Sequence, residues 1–400
     1  MNNISVGVGT SILEDSFDAG KQAALEALIG YQGFPDVLVI FCAMKYNHKE
    51  LLAGIGSVTG NIPMVGGTTA GEISTKGFSS KSVVVMAMGS KKLKFVCGLG
   101  RDMSQSETQC SQSLIEDLKT KTDFNDALSL LIFPNGMGGD GVKILEGLQE
   151  HLGTDFEIVG GYLGDDERFE STFQYYNGKV YRDAMPGMLV CGKNGYRTGV
   201  GVRSGFESIG NRFYCSASKG NVVEKFDEES ALQMYKDLLG EERAQKLPGI
   251  ALEYPFGLID QKVSIGDKEY FQLRCGLAVD HSKGTITLAA SIPEGSAITL
   301  TTASRSDIIK GAELAAKQAL ESLEGAKPKA IMMFSCVGRK LILGRRTQEE
   351  IEAVQKVLGN DVPLVGFYTY GEIGPIDKLK KNLKVTKFHN ETVVLWVLGE

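Results

Sequence analysis

IPMVGGTTAGEIS, residues 62–74, and VPLVGFYTYGEIG, residues 362–374, share one pattern. An apolar run ends in a small residue, a polar or aromatic corner follows, and Gly-Glu-Ile closes it. The likeness extends outward. Upstream, 17–43 (FDAGKQAALEALIGYQGFPDVLVIFCA) matches 308–336 (IIKGAELAAKQALESLEGAKPKAIMMFSC). Each has apolar residues three and four apart, a Gly or Pro break, and an apolar run ending at a Cys, which predicts a helix and then a buried strand. Downstream, SVVVMAMG (82–89) matches TVVLWVLG (392–399). A fainter third copy lies between: SQSLIEDLK (111–119), LSLLIF (128–133), VKILEGLQEHL (142–152), EIVGGYLGDD (157–166) and GMLVCG (187–192). Each unit reads helix, strand, helix, strand, hairpin, strand.

Strands alternating with helices imply parallel pairing, and hairpin-like stretches such as FQYYNGKVYRDA add antiparallel strands. The predicted class is therefore α/β with mixed α+β character: mixed sheets flanked by helices and built from three related units. The favoured break lies near 205–225, giving regions 1–215 and 216–400.

Composition narrows the function. The 400 residues carry 43 Lys+Arg and 49 Asp+Glu, a net charge of -6, with 42% hydrophobic residues. That balance is globular and offers no positive field for nucleic acid. Apolar runs such as VVVMAM are too short to span a membrane. The N-terminus lacks the basic and apolar regions of a signal peptide, so a cytoplasmic setting is expected. The seven Cys are widely spaced in apolar runs and read as buried thiols.

PMVGGTTAGE, IVGGYLGDD, FSCVGR and VPLVGFYTYGEIGP, with YPFGLI and TLAASIPEGSAITL, resemble the FIST-domain family, N-terminal and C-terminal regions in tandem. The resemblance runs from about residue 30 to about 395. It implies an intracellular sensory protein that binds a small ligand, an amino acid having been proposed. No kinase, cyclase or receptor segment occurs in these residues, so the expected partner is a separate histidine kinase, diguanylate cyclase or chemoreceptor. Some members are haem-based nitric oxide sensors, which makes haem an alternative cofactor.

In sheets with parallel strands, ligands sit beyond the carboxyl ends, where Gly lets the backbone approach. The three corners supply Thr68, Thr69 and Glu72; Asp165 and Asp166; and Tyr368, Thr369, Tyr370 and Glu372. Cys336 and Arg339 end the adjacent strand. An amino-acid-like ligand would place its carboxylate on Arg339 and its amine on Glu372. The competing reading pairs Arg339 with Glu372, or uses both as caps. The acids beside Gly would equally satisfy turn donors. GMGGDG (136–141) reads as a tight strand-to-helix turn, as the rim of a pocket, or as a pyrophosphate cradle that Asp140 would oppose. No histidine spacing matches a zinc hydrolase. His48 and His151 read as exposed, and His281 and His389 as turn residues. Cys336 beside Arg339 leaves a Cys-dependent enzyme open, without an assignable base. A flat strand edge after the last unit would let two chains pair as a homodimer.

Overall fold

The computed structural model describes residues 4–29, 31, 33–192, 195–265, 268–378 and 383–400, with side chains at 260–270 and 377–384 left out. The fold class is as expected: mixed sheets flanked by helices. Three six-stranded sheets have the same internal order. In the first, edge strand Ile4–Ser11 lies antiparallel to Val83–Ser90, which flanks Val37–Cys42, itself parallel to Met64–Thr68. The second places Lys94–Arg101, Ala184–Cys191, Ala127–Ile132 and Ile158–Gly161 in those positions. The third uses Arg197–Arg203, Val393–Gly399, Pro328–Cys336 and Leu364–Thr369.

A short hairpin completes each sheet, and it comes from elsewhere in the chain. The hairpin Glu72–Ser74/Gly77–Ser79 follows the first sheet but pairs with Leu364–Thr369 of the third. Gln174–Tyr176/Lys179–Tyr181 pairs with Met64–Thr68 of the first. The ribbon Glu372–Lys378/Leu383–His389 pairs with Ile158–Gly161 of the second. This cyclic exchange ties the sheets together through backbone hydrogen bonds. Their inner faces share one core, where Phe41 contacts Phe133 and Phe367, with ring centroids 5.5 and 4.5 Å apart. Helices cover the outer faces.

Local chemistry sets these elements. Asp15, Asn47, Ser106, Asp140 and Ser304 each accept a backbone N–H at a helix start, and Ser304 forms a full capping box with Asp307. The Ala faces of helices Ser16–Ala27 and Arg305–Ser322 dock directly on edge strands. A Cβ on Gly7 would sit 1.9 Å from the Ala27 carbonyl, and one on Gly201 1.8 Å from that of Ala315. Small residues on both sides permit this approach.

After Arg203 the chain enters a fourth, eight-stranded sheet that runs from Glu207–Lys219 to Ala297–Thr302. Its core joins Phe213, Phe226 and Phe256 to Tyr235 of helix Ala231–Leu239.

Candidate ligand-binding site

The carboxyl ends of the three parallel strand pairs converge, and their glycine corners interlock. Tyr368 N–H donates to Gly71 O at 2.9 Å and Ala70 N–H to Tyr368 O at 3.1 Å. Tyr162 N–H donates to Gly371 O at 2.8 Å and Tyr370 N–H to Tyr162 O at 3.0 Å. Gly164 and Asp166 N–H donate to Thr68 O and Thr69 O at 3.1 and 2.9 Å. The structure thus brings all three predicted corners to one junction.

The buried members brace that junction. Glu72 accepts the Thr69 hydroxyl at 2.5 Å and both the N–H and hydroxyl of Ser82 at 3.0 and 2.6 Å. Glu372 accepts the Thr369 hydroxyl, and the N–H and hydroxyl of Thr392 at 3.1 and 2.8 Å. Thr68 accepts from Phe173 N–H at 3.0 Å. Arg339 does not pair with Glu372. It is fully buried against Glu350, 2.6 Å from Nη2 to Oε1, and also donates to the carbonyls of Ser204, Ile308 and Glu391. Tyr368 hydroxyl donates to the same Glu350 at 2.9 Å. These side chains hold strand ends and covering helices in place.

Burial moves the titrations of this layer. It raises Glu72 to about 7, Glu372 to about 8 and Glu391 to about 7, from an ordinary 4.5. Folded protein then holds protons that unfolded chain has released, so these acids make stability fall as pH rises above about 4.5. Buried His48 and His389, lowered to about 4, act with the opposite sign, between about 4 and 6.5. Above pH 6.5 the carboxyls dominate, and the buried thiols, raised by desolvation, add to the loss in the same direction as pH nears 8. The expected loss from pH 6.5 to 8 is about 3 kcal/mol. Urea midpoints across that window measure it, and Glu372→Gln flattens the profile.

The outer rim is accessible and strained. Asp165 accepts from the N–H groups of Phe169, Glu170 and Ser171 at 2.8, 2.7 and 2.9 Å, and from the Tyr370 hydroxyl. The loop it organises holds Asp166, Glu167 and Phe169 at φ of 56°, 65° and 55°. Three non-glycine left-handed residues within four cost of order 1–3 kcal/mol each, and such strain clusters at functional sites. Half-buried Asp166 accepts Met44 N–H at 3.0 Å. Phe169, 52% exposed, stacks on Tyr370 at 4.4 Å. Lys340 Nζ reaches Glu167 at 2.5 Å and Ala70 O at 2.6 Å. Sequence reasoning missed Lys340, Glu167, Phe169 and Glu350. Lys340 adjoins the quoted FSCVGR, but nothing local announces its reach to residue 167.

Other candidates resolve plainly. His48 is not exposed: it is 9% accessible, and Tyr175 hydroxyl lies 2.8 Å from Nδ1. His389 is not in a turn but ends strand Leu383–His389, fully buried, with a ring nitrogen 3.0 Å from Gly374 O. His151 lines an open cleft of about 440 Å³ with Phe124, Leu152 and Phe156. That is not the enclosed apolar slot a haem needs on both faces, so these residues do not fit one. Cys336 is buried, and burial with Glu372 and Glu391 pushes its thiol far up, away from a reactive thiolate. GMGGDG forms a strand-to-helix turn in which Asp140 caps helix Gly141–Leu152. Among the described residues no group of three or more His, Cys, Asp or Glu could hold a metal, and no helix is long and apolar enough to cross a membrane.

Helix-covered sheets that lock together at glycine corners beneath a strained polar rim define a mixed α/β protein. Residues 36–229 match the FIST N domain and residues 231–375 the FIST C domain. The chain belongs to the FIST family, whose domains are associated with sensory roles in signal transduction. It is similar to an uncharacterized protein of Mycobacterium tuberculosis, 23% identical over 57% of this chain and 60% of the relative. It spans less than two thirds of that relative's length. An uncharacterized protein of Methanocaldococcus jannaschii is 22% identical over 91% of this chain and 73% of its own. Among solved structures, a chorismatase and a cyanuric acid hydrolase match over the full length of both chains, at 7% and 10% identity and TM-scores of 0.35 and 0.36. At those scores the likeness decides nothing.

Proposed function

We propose that this chain is a cytoplasmic sensor of a small zwitterion, an amino acid being the simplest, which binds at the rim where the three corners meet. The strained loop 166–169 carries this reading. It presents the Asp166 and Glu167 carboxylates beside the Lys340 ammonium, with the Phe169–Tyr370 stack as a wall. A ligand amine would take the carboxylates and a ligand carboxylate the ammonium, replacing the Lys340–Glu167 pair. Asp165, Thr68, Thr69, Glu72, Tyr368, Thr369, Glu372, Cys336 and Arg339 frame the site from below. A ligand that prefers the relaxed loop shifts the population towards it, and a separate partner such as a histidine kinase or diguanylate cyclase reads the change.

A thermal-shift screen of the standard amino acids tests this. A ligand at 100 times its dissociation constant adds about 2.7 kcal/mol. Stabilisation by at least one amino acid, lost in Lys340→Met and Asp166→Asn, is expected. No stabilisation by any, or stabilisation kept in both variants, contradicts the assignment.

A further inference from the structure

Arg274 ends strand Lys268–Arg274 of the fourth sheet and is 3% exposed. A buried guanidinium ordinarily faces a carboxylate. This one has none within 4.0 Å among the described residues. Its Nε donates to Ser291 O at 3.1 Å, and its Nη1 to Leu273 O at 2.9 Å and Phe388 O at 3.4 Å. Nη2 donates to no described atom. Asp140 attracts it from a distance, but that carboxylate is held by Ser291 hydroxyl at 3.1 Å and Val142 N–H at 3.0 Å. Burial pulls the guanidinium down to about 10, the mark of a cation without its counter-ion.

Arg274 lines a cleft of about 450 Å³ between the fourth sheet, helix Gly141–Leu152 and strand Leu383–His389. That volume suits a small metabolite. Gln272, 8% exposed, lines the same cleft, and its side-chain amide has no partner among the described residues. Lys387 adds a second positive charge, and Leu145, Leu258 and Phe388 supply apolar wall. A cation and an amide, both nearly buried and both left with open hydrogen-bonding capacity, converge on one space.

We propose that this cleft is a second binding site, separate from the rim, which takes the oxyanion of a small organic acid on Arg274 and Gln272. The oxyanion is a carboxylate or a phosphate monoester, and the body of the acid lies on the apolar wall. Because the cleft joins the fourth sheet to the second, its occupant would stiffen that junction.

Titrations of benzoate and of phenyl phosphate into the full chain, followed by ligand-observed NMR, test the site. Binding at about 10 mM or tighter is expected for at least one. The tighter of the two assigns a carboxylic acid or a phosphate ester. Arg274→Met should weaken it about tenfold or more. Glu146→Trp, at an exposed position on the cleft's rim, should block it, and it carries the decision if Arg274→Met does not fold. Lys340→Met at the other site should leave it unchanged, whether or not the rim binds amino acids. No binding by either probe, or binding kept in Glu146→Trp, overturns the proposal.

Discussion

Arg339→Met is expected to destabilise the protein by about 3–5 kcal/mol, because it leaves the Glu350 carboxylate buried without its counter-ion. Arg339 and Glu350 both have side chains with no exposure. The guanidinium also holds the carbonyls of Ser204, Ile308 and Glu391, so one substitution loosens helix Val337–Leu343, helix Arg305–Ser322 and the 391 turn together. Ser335 and Tyr368 hydroxyls stay on Glu350, but neither supplies positive charge. Arg339→Met combined with Glu350→Gln should recover about 1–2 kcal/mol, since the stranded charge is then gone. The fluorescence of Trp396, the one tryptophan, buried in the shared core, reports the unfolding midpoint. Equal loss in the single and double variants would show that the lost carbonyl bonds dominate instead.

Gly66→Ala is expected to be at least as damaging, by about 4 kcal/mol or more, and to lower soluble yield. Gly66 has φ +143°, and a Cβ there would lie 1.9 Å from the Ile40 carbonyl oxygen. That oxygen belongs to the adjacent parallel strand, so relief means parting the pair Val37–Cys42 and Met64–Thr68. Gly160 stands in the same relation to Ile132 O, at 2.0 Å and φ +154°. Gly160→Ala should behave alike. Gly56→Ala is the contrasting case: a helical position with nothing within 4 Å of the added carbon. It should stabilise by about 0.5–1 kcal/mol. Chemical denaturation of the three variants compares them on one scale.

Much of the scaffold was legible because its signals are local. The VGG and VGF runs marked strands that end in corners, and the Ala-rich stretches after Phe17 and Ile308 marked helices. What escaped is pairing at a distance. Alternation in GEIS or FQYY says that a segment is a strand but not which sheet receives it, so the cyclic exchange of hairpins was hidden. The reading of Arg339 and Glu372 rested on adjacent strand ends, which do pair at Cys336 and Thr369, but the Arg339 side chain turns away to Glu350. Glu350 sits in the polar stretch TQEE, and only packing turns that residue inward. His48 looked exposed because KYNHKE is polar, yet Tyr175 of a donated hairpin and Phe173 just before it cover it. Asp165 and Asp166 were picked out beside Gly, but the left-handed run that begins at Asp166 follows from hydrogen bonds that close only in the assembled junction.

Hydrogen exchange at residues 166–171, measured in each of the standard amino acids in turn, tests the rim site most directly. If the rim binds a zwitterion, at least one amino acid changes exchange in this segment, and Lys340→Met abolishes the change. Exchange in 166–171 that stays the same in all of them would contradict it.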